Sequence, residues 1–338
     1  MQILVLGGTR FLGRHFVAQA LAAGHRLTLL HRGRSGAGLF PEAEHLIADR
    51  DGDLSVLDGR RWDTVLDTSA YLPRQVRAVA ARLAGQVGKY QLVSTISVYP
   101  DFATPGLDED APRAVLTDPE VQTVDGSTYG GLKALCEDAA LAAFGARCLI
   151  ARPGLLVGPH DPTERFTWWV RRLAKGGDVI APGDPAGPVQ FIDARDAAGW
   201  LLQAAEAGTG GIFNLTGPVR APGQPLTMGE FLATACAQLA PTARLHWLDE
   251  AFLLGAGVVP WTELPVWVPS DSAGIHQVDI RRAVGSGLSC RPLADTLADT
   301  AAWAAGVPAQ GGTGLTAERE AALLAAWLAR PAGTAAAG

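Results

Sequence analysis

Residues 7–13 read Gly-Gly-Thr-Arg-Phe-Leu-Gly and stand between a short apolar run, Gln2–Leu6, and an amphipathic stretch, Phe11–Ala23. A strand of that length, a glycine turn and a helix that starts at once leave few folds open. Glycine adopts the backbone angles such a turn needs and lets other groups approach the main chain closely. The helix that follows directs its first N–H groups, and the positive end of its dipole, at whatever lies over the turn. A pyrophosphate fits that arrangement, so Gly7, Thr9, Arg10, Phe11, Leu12 and Gly13 are candidate dinucleotide-binding residues. Arg10 stands where the middle glycine of a G-x-x-G-x-x-G turn is expected, and its guanidinium can pair with phosphate. An exposed arginine at a helix start is the plainer alternative.

Strand and helix patterns keep alternating beyond the turn. Runs at Leu27–His31, His45–Ala48, Thr64–Asp67, Tyr90–Thr95 and Cys148–Arg152 predict further strands, and Pro73–Leu83 and Tyr129–Ala143 predict helices. That alternation predicts a parallel sheet with helices on both faces, an α/β fold of the Rossmann-type, doubly wound class. Ligands in such sheets bind at the carboxyl ends of the strands. After Pro153 the pattern loosens into helices, short strands and Pro/Gly turns, which predicts a smaller mixed C-terminal lobe. The expected division is 1–161 with 189–216 for the dinucleotide, 162–188 with 217–330 for substrate, and 331–338 as a flexible tail.

Composition narrows the partners. The 338 residues carry a formal charge of -6 and only three lysines, Lys89, Lys133 and Lys175, so there is no broad basic face and nucleic acid is not the expected partner. Cys136, Cys148, Cys236 and Cys290 are scattered, with no C-x-x-C, which predicts buried free thiols and no metal site. The longest apolar stretch, 251–261, is well short of the ~20 residues of a membrane-spanning helix. The start lacks a basic leader. A cytoplasmic monomer or homodimer, off the membrane and acting on a small molecule, is expected.

Tyr129-Gly-Gly-Leu-Lys133 carries the second signal. With four tyrosines and three lysines in the chain, a chance Tyr-x-x-x-Lys is rare, and residues four apart share a helix face. A phenol of pKa ~10 is a poor acid or base at neutral pH. An ammonium ~4 Å away, at an effective dielectric of ~20, contributes about 4 kcal/mol, roughly three pKa units. Lys133 is therefore expected to depress the Tyr129 phenol and make it a proton carrier; an ordinary exposed helix pair is the alternative. Thr95, at the end of the Tyr90–Thr95 run, can orient a substrate oxygen beside it. At the end of the second strand, where an acid would hold an NAD ribose, the chain reads His31-Arg32-Gly33-Arg34. Arg32 would attract a 2′-phosphate, so NADP(H) is favoured over NAD(H); stacking on adenine is its alternative role.

Together, the GGTRFLG turn, Thr95 and Tyr129-x-x-x-Lys133 resemble the extended and atypical short-chain dehydrogenase/reductases, the NAD-dependent epimerase/dehydratase group. Within the group, the GGTRFLG and HRGR segments resemble the branch that holds isoflavone-reductase-like and chloroplast stem-loop-binding proteins. The resemblance spans 1–216 firmly and 217–305 loosely. It implies that Asp49 contacts adenine, that Thr68, Ser69 and Ala70 line the cofactor, and that Pro153, in Arg152-Pro153, lies beside it. It also implies that Lys133 bonds the nicotinamide ribose while Tyr129 and Thr95 serve the reacting oxygen. Two departures bear on substrate. Leu155 replaces an Asn, and Val189 an Arg, that hold the diphosphate in sugar-nucleotide enzymes of the group. Trp168, Trp169, Trp261 and Trp267 offer instead a flatter, more apolar surface, unless they are core. The leading expectation is an NAD(P)-dependent oxidoreductase on a small carbonyl or alcohol. A nucleotide-sugar epimerase or dehydratase, and a non-catalytic RNA-binding or regulatory member that keeps the cofactor site, are the alternatives.

Overall fold

β1 (Gln2–Leu6), β2 (Arg26–His31), β3 (Glu44–Ile47), β4 (Trp62–Asp67), β5 (Val87–Val93) and β6 (Cys148–Pro153) form one sheet with the strand Gly211–Leu215. Across the sheet the order is Gly211–Leu215, β6, β5, β4, β1, β2, β3, and every neighbouring pair is parallel. This computed structural model describes residues 1–36, 38–221 and 224–330; the expected tail at 331–338 lies outside them. The chain divides into two compact units, 1–156 with 190–219 and 278–290, and 157–189 with 220–277 and the residues from 291 onward.

The first unit holds the sheet. Its strands read as nearly unbroken apolar runs because both faces are covered. Ile3 and Val5 pack with Phe16 and Val17 of α1 (Phe11–Ala22) and with Ala197 and Leu201 of the helix Ala194–Glu206. Leu4 and Leu6 face the other way, against Val76 and Val79 of α2 (Pro73–Leu83) and Cys136 and Ala140 of α3 (Tyr129–Phe144). The connections run outward from β1 through β2 to β3, and on the other side from β4 through β5 to β6. The crevice where the order reverses opens at the carboxyl ends of β1 and β4. This is the doubly wound Rossmann arrangement that the sequence pattern predicts.

Three expectations shift. β5 starts at Val87 and stops at Val93, not Thr95, because the Thr95 hydroxyl accepts the Ser97 N–H and opens a single 3-10 turn, Ile96–Val98. Residues 278–290 fall in the first unit, not in the substrate lobe, since the Asp279 N–H donates to the Leu107 carbonyl and the Asn214 amide donates to that of Asp279. Residues 157–161 fall in the second unit rather than the first.

The second unit packs the helices Arg165–Ala174, Met228–Leu239 and Leu293–Ala305 together. Phe166 stacks on Phe231 at 5.4 Å between centroids, and the Trp169 indole donates to the Pro265 carbonyl at 2.6 Å. Trp169 and Trp267 are core residues, whereas Trp168 and Trp261 are half-buried. Among the described residues no helix is long and apolar enough to cross a membrane, and no group of three or more His, Cys, Asp or Glu side chains could hold a metal ion.

Candidate active site

The turn after β1 is held from both sides. The Gly7 N–H donates to the Leu30 carbonyl, and the Thr68 N–H and hydroxyl both donate to that of Leu6. Gly7 has φ +113, and a Cβ there would stand 2.2 Å from the Thr68 hydroxyl, so glycine alone fits the turn. Thr9 is buried and its hydroxyl meets that of Ser35 at 3.1 Å. Arg10 is the N-cap of α1, and no side chain caps that helix. The first N–H groups of α1 are thus available to an anion. Gly13 lies in its first turn, Phe11 is half-buried, and Leu12 is a core side chain that could serve a ligand only through its backbone. Arg10, Arg32 and Arg34 are exposed and form no ion pair with another described residue. A positive rim surrounds an open helix start.

Across the crevice, the β4 end carries a network that reading the sequence missed. Asp67 is 0 % exposed and receives both Arg50 guanidinium NH groups at 2.8 Å, the Tyr90 hydroxyl at 2.7 Å and the Ser69 N–H. Arg50 also donates to the Ser69 hydroxyl. Burial works against both charges, but each partner's field outweighs it: Asp67 is held below the usual carboxylate range and Arg50 above its ordinary value. Asp49, the expected adenine contact, is exposed and accepts the Asp51 N–H. A carboxylate ending an otherwise apolar strand was the legible signal, since a buried charge requires a partner.

α3 brings the Tyr/Lys pair to the same end of the sheet. Tyr129 is half-buried, its phenol near enough to the Thr95 hydroxyl to feel it, and lies 6.4 Å from Tyr71 between ring centroids. Thr95 is 7 % exposed. Lys133 is 3 % exposed, and its ammonium donates to the carbonyls of Ala70 and Val93, each at 2.7 Å. Those carbonyls follow β4 and end β5, so the lysine ties the two strand ends together with one N–H left over. Pro153 is the buried last residue of β6. The expectation that Lys133 depresses the phenol fails here. Burial pushes the Tyr129 phenol above its ordinary value, with the Thr95 hydroxyl opposing, and burial pushes Lys133 down. The ammonium is spent on carbonyls rather than on the phenol.

α3 can approach the Thr95 turn only because residue 130 has no side chain. A Cβ at Gly130 would lie 2.0 Å from the Ser97 carbonyl oxygen. Gly130→Ala is expected to push Tyr129 away from Thr95 and lower turnover by up to about 10²-fold, since small misplacements of reacting groups cost that much. Steady-state kinetics beside a thermal melt checks it.

An uncapped helix start, the arginine rim and a spare lysine N–H fit a nicotinamide dinucleotide. A hydroxyl pair beside them suits proton exchange with a substrate oxygen. Residues 61–216 match the model of the NAD dependent epimerase/dehydratase family. Over 258 residues the chain is 27 % identical to the chloroplast stem-loop binding protein of 41 kDa b from Arabidopsis thaliana, covering 70 % of this chain and 62 % of that one. The chain thus spans under two thirds of that relative's length. It is also 27 % identical, over 288 residues, to a dTDP-glucose 4,6-dehydratase from Actinoplanes sp., covering 74 % of this chain and 86 % of that one. Among solved structures, UDP-glucuronic acid 4-epimerase from Bacillus cereus with NAD shares the fold at TM-score 0.65 and 17 % identity, over 90 % of this chain and 96 % of that one. A human epimerase family protein with NADPH does so at TM-score 0.61 and 21 % identity, over 89 % and 99 %.

Proposed function

We propose, since residues 61–216 match the NAD dependent epimerase/dehydratase family, that the chain is an NADP(H)-preferring oxidoreductase of that family acting on a small carbonyl or alcohol. The observation that carries this reading is the Tyr129–Thr95 hydroxyl pair beside the buried ammonium of Lys133. The bound nicotinamide supplies or accepts hydride at the substrate carbon. Tyr129 gives a proton to the carbonyl oxygen, or takes it back from the alcohol, while Thr95 orients that oxygen. A phenol held above its ordinary value keeps its proton at neutral pH, which favours the acid role and hence carbonyl reduction. Lys133 fixes the ends of β4 and β5 and turns its remaining N–H toward the nicotinamide ribose. The turn at 7–13 and the α1 start hold the pyrophosphate, with Thr68, Ser69, Ala70 and Pro153 as walls and Asp49 toward the adenine.

Preference for the phosphorylated cofactor follows from the charge at the end of β2. Arg32 is exposed, no carboxylate stands beside it in the sequence, and a guanidinium pairs well with a phosphate monoester. NADPH is expected to bind more tightly than NADH, with Arg32→Ala removing on the order of 1.5–3 kcal/mol from NADPH alone. Titration calorimetry with both cofactors decides it, and mass spectrometry of the purified protein identifies any nucleotide carried along. Equal affinities, unmoved by the substitution, would overturn the preference.

The dehydratase relative favours a second reading, a nucleotide-sugar enzyme. Leu155 and Val189, at the two positions where the diphosphate anchors are expected, count against it. A substrate screen at fixed cofactor, including nucleotide sugars, separates the two.

A further inference from the structure

His31 ends β2 and His45 lies on β3, in a register that pairs His31 with Ile47 and Leu29 with His45. Side chains two residues apart along a strand share a face, so the two rings meet diagonally, at 5.1 Å between centroids and perpendicular to each other. Three hydrogen bonds run through them. The Gly33 N–H donates to His31 Nδ1 at 3.1 Å. His31 Nε2 and His45 Nδ1 are 2.8 Å apart, and His45 Nε2 is 3.1 Å from the Phe40 carbonyl oxygen.

The end partners fix every proton in this chain. A backbone N–H only donates, so His31 Nδ1 must be bare. A carbonyl only accepts, so His45 Nε2 must carry hydrogen. With both rings neutral, His31 Nε2–H then donates to His45 Nδ1. No ring nitrogen is free for another proton: protonation of His31 breaks the bond to Gly33, and protonation of His45 breaks the bond between the rings.

The relay grips both ends of the loop that follows β2, at Gly33 and at Phe40, while Ser35 holds the middle to Thr9 of the nucleotide turn. Arg32 sits at the root of that loop. We propose that the His31–His45 pair positions the Arg32–Ser35 segment for the cofactor, holding it while both rings are neutral and releasing it on acidification. The inference rests on the dinucleotide reading and assigns to these histidines a positioning role, through Arg32, in cofactor affinity. Burial and the neighbouring His45 both hold the His31 imidazole below its ordinary value, in keeping with a relay that is neutral at physiological pH. The other charged groups on these elements are Arg32 and Arg34 on the loop, Arg14 and His15 on α1, which packs on β2, and Glu44 on β3, whose carboxylate is taken by Arg60 and Thr28. β1 presents only uncharged residues, Gln2–Leu6, in register with β2.

His31→Asn gives the decisive comparison, because an asparagine side chain accepts the N–H two residues on without titrating near neutrality. NADP+ and NAD+ are titrated calorimetrically into the full chain between about pH 5.5 and 7.5. The wild type is expected to lose at least about fivefold more affinity than His31→Asn on acidification, as linkage requires when only the loosened state binds a proton. The variant cancels the titration of the ligand's own phosphates. At about pH 7.5 its Asx-type bond to Gly33 stands in for that of His31, but the bond to His45 is lost, so it should bind more weakly than the wild type. His45→Phe should bind more weakly at every pH. Hydrogen exchange at Gly33 in the nucleotide-free protein reads the loop directly. Protection lost on acidification in the wild type but not in His31→Asn supports the relay even if neither cofactor binds, in which case the dinucleotide reading alone falls. Parallel pH profiles of affinity and protection, or tighter wild-type binding in acid, would overturn the relay.

Discussion

Tyr129→Phe is expected to lower turnover by about 10²–10⁴-fold, the usual contribution of a general acid or base, while cofactor affinity changes by less than about twofold. The substitution removes one oxygen. The ring keeps its neighbour Tyr71, and Thr95 keeps its bonds to Ser97, so the turn that presents Thr95 stays formed. Lys133→Ala should behave differently. It strips the donor from the Ala70 and Val93 carbonyls and so loosens both strand ends, damaging turnover and cofactor affinity together. The contrast between the two variants separates a proton carrier from a scaffold. The pH dependence has a definite sign. A phenol raised above its ordinary value stays protonated through neutrality, so carbonyl reduction should hold its rate as pH rises and fall only beyond about pH 10. Alcohol oxidation, which needs the phenolate, should climb over the same range. If Tyr129→Phe turns over like the wild type, the acid/base assignment fails and a cofactor-keeping, non-catalytic protein becomes the better account.

What the sequence discloses and what it conceals divide along the range of the interactions. The 7–13 turn, the strand–helix alternation and the Tyr129/Lys133 spacing are legible because each is set by neighbours within one element. The sign of the Tyr129 shift is not, since it depends on how deeply α3 beds against β5 and on which acceptors the Lys133 ammonium meets there. Both carbonyls come from residues far off in the chain. The Arg50–Asp67 pair escaped for the same reason: Asp67 reads as the last residue of an apolar strand, and Arg50 as one charge in a polar loop. His31 and His45 carry no signal apart, because only the β2–β3 register brings their rings into contact. Residues 278–290 follow a stretch rich in tryptophan and proline, and nothing local marks their return to the sheet.

The largest stability effect is expected at Asp67. Asp67→Asn keeps the side chain's shape but removes the charge that Arg50 faces on two nitrogens, and it places an amide donor where Arg50, Tyr90 and Ser69 all donate. Breaking a buried pair by removing one partner costs about 3–5 kcal/mol, because the surviving charge stays uncompensated. Chemical denaturation should show that loss as a lower midpoint with an unchanged slope. Asp67→Leu combined with Arg50→Met should recover most of it, since a well-packed apolar pair is often neutral relative to a buried ion pair. The acid limb supplies an independent reading. Asp67 is held below its ordinary value of 3.8, so its contribution is complete above the unfolded carboxylate's pKa and disappears as pH falls through the lower, folded one. The wild type should therefore lose stability between about pH 4 and pH 2 that Asp67→Asn no longer has to lose, and the two denaturation curves should converge in acid. Arg50 also donates to the Ser69 hydroxyl, so the same variant should weaken nucleotide binding. Curves that stay parallel down to about pH 2 would place the stabilisation elsewhere than in the Asp67 charge.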